Sequence, residues 1–150
     1  MFYTTALATI AIAFIGTSVQ ATPAPPTPPT SFPIATLDIS AISNITRVAG
    51  GPHSDATLSP QIAAYLYLYE GSNCSGTYSY TNLGGMQANE CTQNNPFVSV
   101  IIQQIAPSPT PYEVVVGPRQ CPEVIALPSV GVCYNLSGAL FEAYAVITAN

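Results

Sequence analysis

Apolar and polar positions alternate with a period of two in several short stretches of this chain, and glycine, proline or asparagine bounds each stretch. From Ala35 to Ile42, Asp38 and Ser40 alternate with Leu37, Ile39 and Ala41, which predicts a strand. Tyr65-Leu66-Tyr67-Leu68-Tyr69 alternates rings with leucines. Successive strand side chains point to opposite faces, so three tyrosines share one face and the two leucines take the other. Further strands are predicted over Thr77 to Thr81, Phe97 to Ile102, Tyr112 to Val116, Glu123 to Leu127 and Glu142 to Thr148. Turn-forming residues separate them at Gly71, Gly84-Gly85, Asn94-Asn95-Pro96, Pro107 to Pro111, Gly117-Pro118 and Ser137-Gly138. With hardly any helical periodicity beside these strands, the expected fold class is all-β.

The ends of the chain read differently. Residues 1–21 carry an apolar run from Ala6 to Ile15 and then small residues at Val19 and Ala21, the pattern of a cleaved signal peptide. A spanning helix needs about 20 apolar residues, so no membrane span is expected. Residues 22–33 read TPAPPTPPTSFP, with six prolines in twelve positions. Such a segment lacks the backbone donors for helix or sheet and is expected to be a polyproline II linker. Residues 34–150 are then a single β domain. The apolar stretch from Ala139 to Asn150 is interrupted by Glu142 and lacks the upstream spacer of a lipid-anchor signal, so it is assigned to the last strand.

Composition narrows the partners. Of 150 residues only 6% are charged, the net charge is -5, lysine is absent and Arg47 and Arg119 are the two cations. A nucleic-acid binder needs a basic footprint that this chain lacks, and anionic membrane surfaces are poor partners for the same reason. The expected partner is an extracellular protein or polysaccharide. Nine tyrosines and no tryptophan make Tyr65, Tyr67 and Tyr69, with Tyr78 and Tyr80 across a hairpin, the candidate ligand-binding residues, since tyrosine offers contact area at low rotamer cost. The competing expectation places the tyrosine face in the core.

Four cysteines, Cys74, Cys91, Cys121 and Cys133, suit two disulfides in a secreted chain. Two halves share an order of strand, glycine, cysteine, strand, cysteine, asparagine (Asn94, Asn135), phenylalanine and strand, over residues 63–104 and 111–148. A repeated unit with one disulfide closing each half predicts Cys74 with Cys91 and Cys121 with Cys133. Sequons at Asn44 and Asn135 are the expected glycan acceptors.

Leu68-Tyr69-Glu70, then Cys74-Ser75-Gly76, then Phe97-x-Ser99-Val100-x-Ile102 resembles a Greek-key motif of the βγ-crystallin superfamily, to which killer-toxin-like and other small secreted fungal proteins are similar in their cysteine settings. The resemblance covers Ala63 to Thr148 and implies two Greek-key motifs forming a disulfide-stapled β-sandwich. It gives Gly76 the role of folding the first hairpin over and Ser99 that of bonding back to it, with Cys74 where an aromatic is usual. In the second half Glu123 and Ala143 stand in the glycine and serine places. The chain is also similar to the fungal β-barrel family of the major Alternaria allergen, through its early strand, two local disulfides and closing strand; that alternative implies a small β-barrel.

Candidate chemistry is sparse. The crystallin calcium pattern is kept at Asn94, Asn95 and Ser99, but Val98 replaces a hydroxyl ligand and no carboxylate is present, so no metal is expected. With no CxxC and one histidine, zinc is not expected either, nor any other cofactor. His53-Ser54-Asp55 holds the letters of a triad in adjacent positions, from which side chains do not converge. Glu70, Glu90, Glu113, Glu123 and Glu142 have no sequence spacing that sets up a carboxylate pair. The expectation is a secreted, non-enzymatic interaction protein, effector-like or toxin-like, with no catalytic residues. The alternative is a cell-wall-associated structural or carbohydrate-binding protein.

Overall fold

A computed structural model describes residues 27–28, 30–41, 63–107 and 112–148. Among these the strands are β1 (Ile34–Asp38), β2 (Ala64–Tyr69), β3 (Tyr78–Asn82), β4 (Thr92–Phe97), β5 (Ser99–Gln104), β6 (Tyr112–Gly117), β7 (Ile125–Ala126), β8 (Cys133–Ser137) and β9 (Phe141–Thr148). They form two sheets, ordered β1-β8-β5-β2-β3 and β4-β9-β6-β7.

The alternation of Leu66 and Leu68 with the tyrosines decides how the sheets face. Leu66, Leu68, Val100, Ile102 and Tyr134 of the first sheet share one buried cluster with Val114, Val116, Phe141, Tyr144 and Val146 of the second. Burying an apolar side chain of this size stabilises by about 1.5–3 kcal/mol, so this shared layer holds the two sheets together. The fold is an all-β sandwich stapled by two disulfides.

Each half of the chain is a Greek key with its third strand sent across the sandwich. In the first, β5 lies antiparallel beside β2 and β2 beside β3, while β4 pairs with β9 in the other sheet. In the second, β9 lies beside β6 and β6 beside β7, while β8 pairs with β5 in the first sheet. The fourth strand next to the first is the Greek-key arrangement. β1 stands outside both motifs and adds a parallel edge to β8, with Ile34 opposite Cys133 and Asp38 opposite Ser137.

Two strands escaped the sequence pattern. Asn94-Asn95-Pro96, expected to turn, lies inside β4, where the register against β9 slips between Gln93 and Phe97. Proline cannot donate to a ladder and is tolerated at a bulge on an edge strand, which is what β4 provides. β8, reading CYNLS, has no strict alternation to mark it as a strand. The expected strand from Phe97 to Ile102 divides at Val98 into the end of β4 and the start of β5, and that from Ala35 to Ile42 gives way to a 3-10 turn at Ile39–Ala41. The signal-peptide segment, Asn44 and His53-Ser54-Asp55 lie outside the described residues.

Candidate functional site: a tyrosine face

The chain leaves β2 through two residues in the left-handed region, Asn73 (φ 55°) and Cys74 (φ 49°), and then Gly76 (φ 81°). Glycine takes that conformation without strain, whereas Asn73 and Cys74 need external restraint. Ser99, fully buried at the start of β5, supplies part of it. Its hydroxyl donates to the Gly71 carbonyl at 2.6 Å and accepts from the Cys74 N–H at 2.9 Å. Gly71 must approach closely here, because a Cβ would lie 2.5 Å from the Ser75 carbonyl oxygen.

The disulfides correct the expected pairing. Cys74 is bonded to Cys133 and Cys91 to Cys121. Each bond ties the turn after the first strand of one Greek key to the third strand, or its entry, from the other key. The exchange of β4 and β8 between sheets is the physical reason: it carries Cys91 and Cys133 away from their own halves. The repeat itself persists, since Gln120 (φ 67°) and Cys121 (φ 52°) reproduce the turn of Asn73 and Cys74.

Above this framework the outer face of the first sheet carries the five candidate tyrosines. Tyr67 faces Tyr80 and Tyr69 faces Tyr78 across the β2–β3 ladder. Ring centroids run in an unbroken zigzag: Tyr65 to Tyr80 at 6.3 Å, Tyr80 to Tyr67 at 6.0 Å, Tyr67 to Tyr78 at 5.7 Å and Tyr78 to Tyr69 at 5.4 Å. The rings are tilted or edge-on, geometries in which a positive ring edge meets a negative face. Tyr67 and Tyr69 are buried, with Cys74, Ile101 and Cys133 beside them and Phe32 and Tyr65 packed against the group. Tyr78 and Tyr80 are 44% and 48% exposed.

The face is therefore distinct from the sandwich core, with two rings serving as floor and two open to solvent. Burial, and after it the neighbouring phenols, pushes the Tyr67 and Tyr69 hydroxyls above their ordinary range. They stay neutral at physiological pH, and the face offers stacking surface and hydroxyls without charge.

Other expected groups are engaged elsewhere. Asn135, expected to carry a glycan, is held through its side-chain amide by Asn73, a clasp with which a glycan on Nδ2 competes. Asn94 donates to the Ser79 hydroxyl at 2.9 Å and accepts from the Asn95 N–H at 2.7 Å, bracing the β4 bulge against β3. Glu70, Glu90, Glu113 and Glu123 are exposed and Glu142 is half-buried. Among the described residues no three His, Cys, Asp or Glu side chains gather into a group that could hold a metal ion. The sequence reasoning missed Phe32 as a member of the aromatic group; its position just before the first strand was the available signal.

Compared with known protein families, curated proteins and solved structures, the chain matches none.

Proposed function

We propose that this chain is a secreted, non-enzymatic interaction protein of the βγ-crystallin-like kind, effector-like or toxin-like, which binds an uncharged extracellular partner through its tyrosine face. The observation that carries this reading is the ladder of five tyrosines on an outer sheet face, its floor buried and Tyr78 and Tyr80 exposed. Aromatic side chains anchored by rigid neighbours are the groups that most often dominate binding surfaces. With so few charges in the chain, stacking and hydrogen bonding are the forces left to it. The kinship is supported by the two Greek keys with exchanged third strands and by Ser99 bonding back to the folded hairpin. Two disulfides suit an oxidising compartment, in keeping with the leader-like residues 1–21.

The test is a pull-down of the mature protein against cell-wall polysaccharides and extracellular protein extracts, alongside Tyr78→Ala/Tyr80→Ala. The expected result is a captured partner that the double variant fails to hold, with an unchanged melting temperature. A variant that binds as well as the parent removes the face from the reading. Retention on insoluble polysaccharide would favour the wall-associated role.

A further inference from the structure

The first sheet ends at β3, and the backbone there is only half paired. The Glu70 N–H donates to the Thr77 carbonyl at 3.0 Å, whereas the Tyr69 carbonyl turns the other way and accepts from the Val98 N–H at 2.9 Å. Even-numbered residues of β2 therefore aim their backbone groups at β3. The register of Leu66 with Thr81 and Leu68 with Ser79 then gives that ladder to Thr77, Ser79 and Thr81. Hydrogen-bonding direction alternates along an antiparallel strand. The N–H and C=O groups of Tyr78 and Tyr80 accordingly point away from β2, where no strand of the described residues meets them. Asn82 ends the strand, its side chain accepting from the Gly84 N–H at 3.0 Å.

Open edges invite pairing with another chain, and sheets ordinarily blunt them with proline, charge, a bulge or brevity. Three of the four edges among the described residues follow that rule. β4 carries Pro96 and a bulge, β7 is two residues long, and β1 has Pro33 before it and Asp38 at its end. β3 reads YSYTN and pairs with β2 in unbroken register, so it has no proline, no charge and no bulge. Four of its five residues are exposed, which leaves the edge open to approach.

From this we infer that β3 is a self-association edge whose occupant is the β3 of a second copy, antiparallel about a two-fold axis through Ser79. This register sets Tyr78 opposite Tyr80 of the second copy, and Tyr80 opposite Tyr78 of the second copy. Each such pair exchanges two N–H to C=O bonds, so the open groups of Tyr78 and Tyr80 are all used and none is left over. The side chains also favour a second copy over a foreign strand. The two residues with open backbone groups are the ones whose rings are 44% and 48% exposed, and side chains directly opposite on one sheet face are close enough to pack. The tyrosine zigzag then runs on from one copy into the other. Two chains of net charge -5 meet here along a strand that carries no charge on either side. A two-fold contact of this kind closes on itself, giving a dimer and not a fibre. The inference goes beyond the proposed function: the rings stay on the outer face of the joined sheet, and the dimer presents a tyrosine face of double width.

The test is sedimentation of the mature protein over a wide dilution series, with residue-resolved amide hydrogen exchange at both ends of the series. The expected result is a dimer at high concentration that dissociates on dilution, with the Tyr78 and Tyr80 amides exchanging several-fold more slowly in the dimer. The Ser79 and Thr81 amides, already turned toward β2, should change little. Tyr78→Lys/Tyr80→Lys, which sets like charges opposite each other across the axis, should sediment as a folded monomer at every concentration. A parent protein that stays monomeric throughout would overturn the inference, as would a double variant that dimerises like the parent. A dimer whose Tyr78 and Tyr80 amides exchange as fast as in the monomer would also overturn it, because the copies then meet elsewhere. Slow exchange of both amides in the monomer would do the same, showing the edge covered from within the chain. If the double variant does not fold, the exchange comparison on the parent protein decides alone. Mass and exchange report the dimer and the pull-down reports the partner, so either reading can fail without the other.

Discussion

Asn73 and Asn135 hold each other across 62 positions of chain: the Asn73 N–H donates to the Asn135 carbonyl oxygen at 2.7 Å, and the Asn135 amide donates to Asn73 Oδ1 at 2.8 Å. The other half of the molecule repeats the relationship, with the Gln120 N–H donating to Gln93 Oε1 at 3.4 Å. Asn73 and Gln120 each precede a hairpin cysteine, and Asn135 and Gln93 each follow an exchanged-strand cysteine by two positions. Register agrees, since Asn135 lies opposite Ser99 and Gln93 opposite Ala143. The true counterpart of Asn135 is therefore Gln93, not Asn94. Amide clasp and disulfide together lock each Greek key to the strand it receives from the other.

The first prediction concerns those disulfides. Non-reducing peptide mapping should recover Cys74 with Cys133 and Cys91 with Cys121. The separations are 59 and 30 residues, and the chain-entropy model gives about 4 kcal/mol for loops of that size. Removing either bridge by paired Cys→Ala changes should lower stability by that order in chemical denaturation. Recovery of Cys74 with Cys91 would contradict the strand exchange.

A second prediction follows from the asymmetry between Ser99 and its counterpart Ala143. Ser99→Ala leaves the buried Cys74 N–H and the Gly71 carbonyl without their side-chain partner, a loss of about 1–3 kcal/mol for a desolvated polar group. Ala143→Ser should bring no such gain, because the Cys121 N–H already donates to the Pro118 carbonyl at 3.0 Å. Denaturant midpoints of the two variants check both halves of the claim.

The sequence pattern reached the all-β class, the faces of β2, the tyrosine ladder and the doubled motif, because each rests on local alternation or on a glycine or serine with a local task. It failed at β4 and β8. In β4 the run Asn94-Asn95-Pro96 carries turn chemistry that a bulged edge strand also tolerates. In β8 Cys133 and Tyr134 are both buried, one on each face of the sheet, so no polar alternation marks the strand. Those two strands are the exchanged ones, and without them the cysteines pair naturally within their own halves. The division of the tyrosines into floor and exposed rings was equally illegible, since it depends on Phe32 and Ile101 arriving from distant parts of the chain.

Tyr112 yields a third prediction. Its hydroxyl is shut off from solvent and has no hydrogen-bond partner among the described residues, and burial pushes its pKa up. A buried, unsatisfied hydroxyl costs about 1–3 kcal/mol, and removing it while keeping the ring's shape relieves that cost. Tyr112→Phe should therefore be as stable as the parent or more so, with a melting temperature that does not fall. A marked loss of stability would show that the hydroxyl has a partner.

The last prediction concerns alkaline pH. The Tyr67 and Tyr69 phenols are held above the ordinary value of 10.0, chiefly because burial disfavours the phenolate and next because Tyr78 and the neighbouring rings would repel it. In the unfolded chain the same phenols ionise near the ordinary value. A raised acid pKa means the folded state holds its proton longer, so this contribution to stability is intact below pH 10.0 and is lost as pH rises through the folded-state value. Phenolate absorbance should show these two groups ionising late, in step with loss of the β-sheet circular dichroism signal. Tyr67→Phe removes one of the two and should carry the folded state to higher pH. Ionisation of every phenol in the ordinary range, with the fold intact, would mean that the floor of the tyrosine face is open to water.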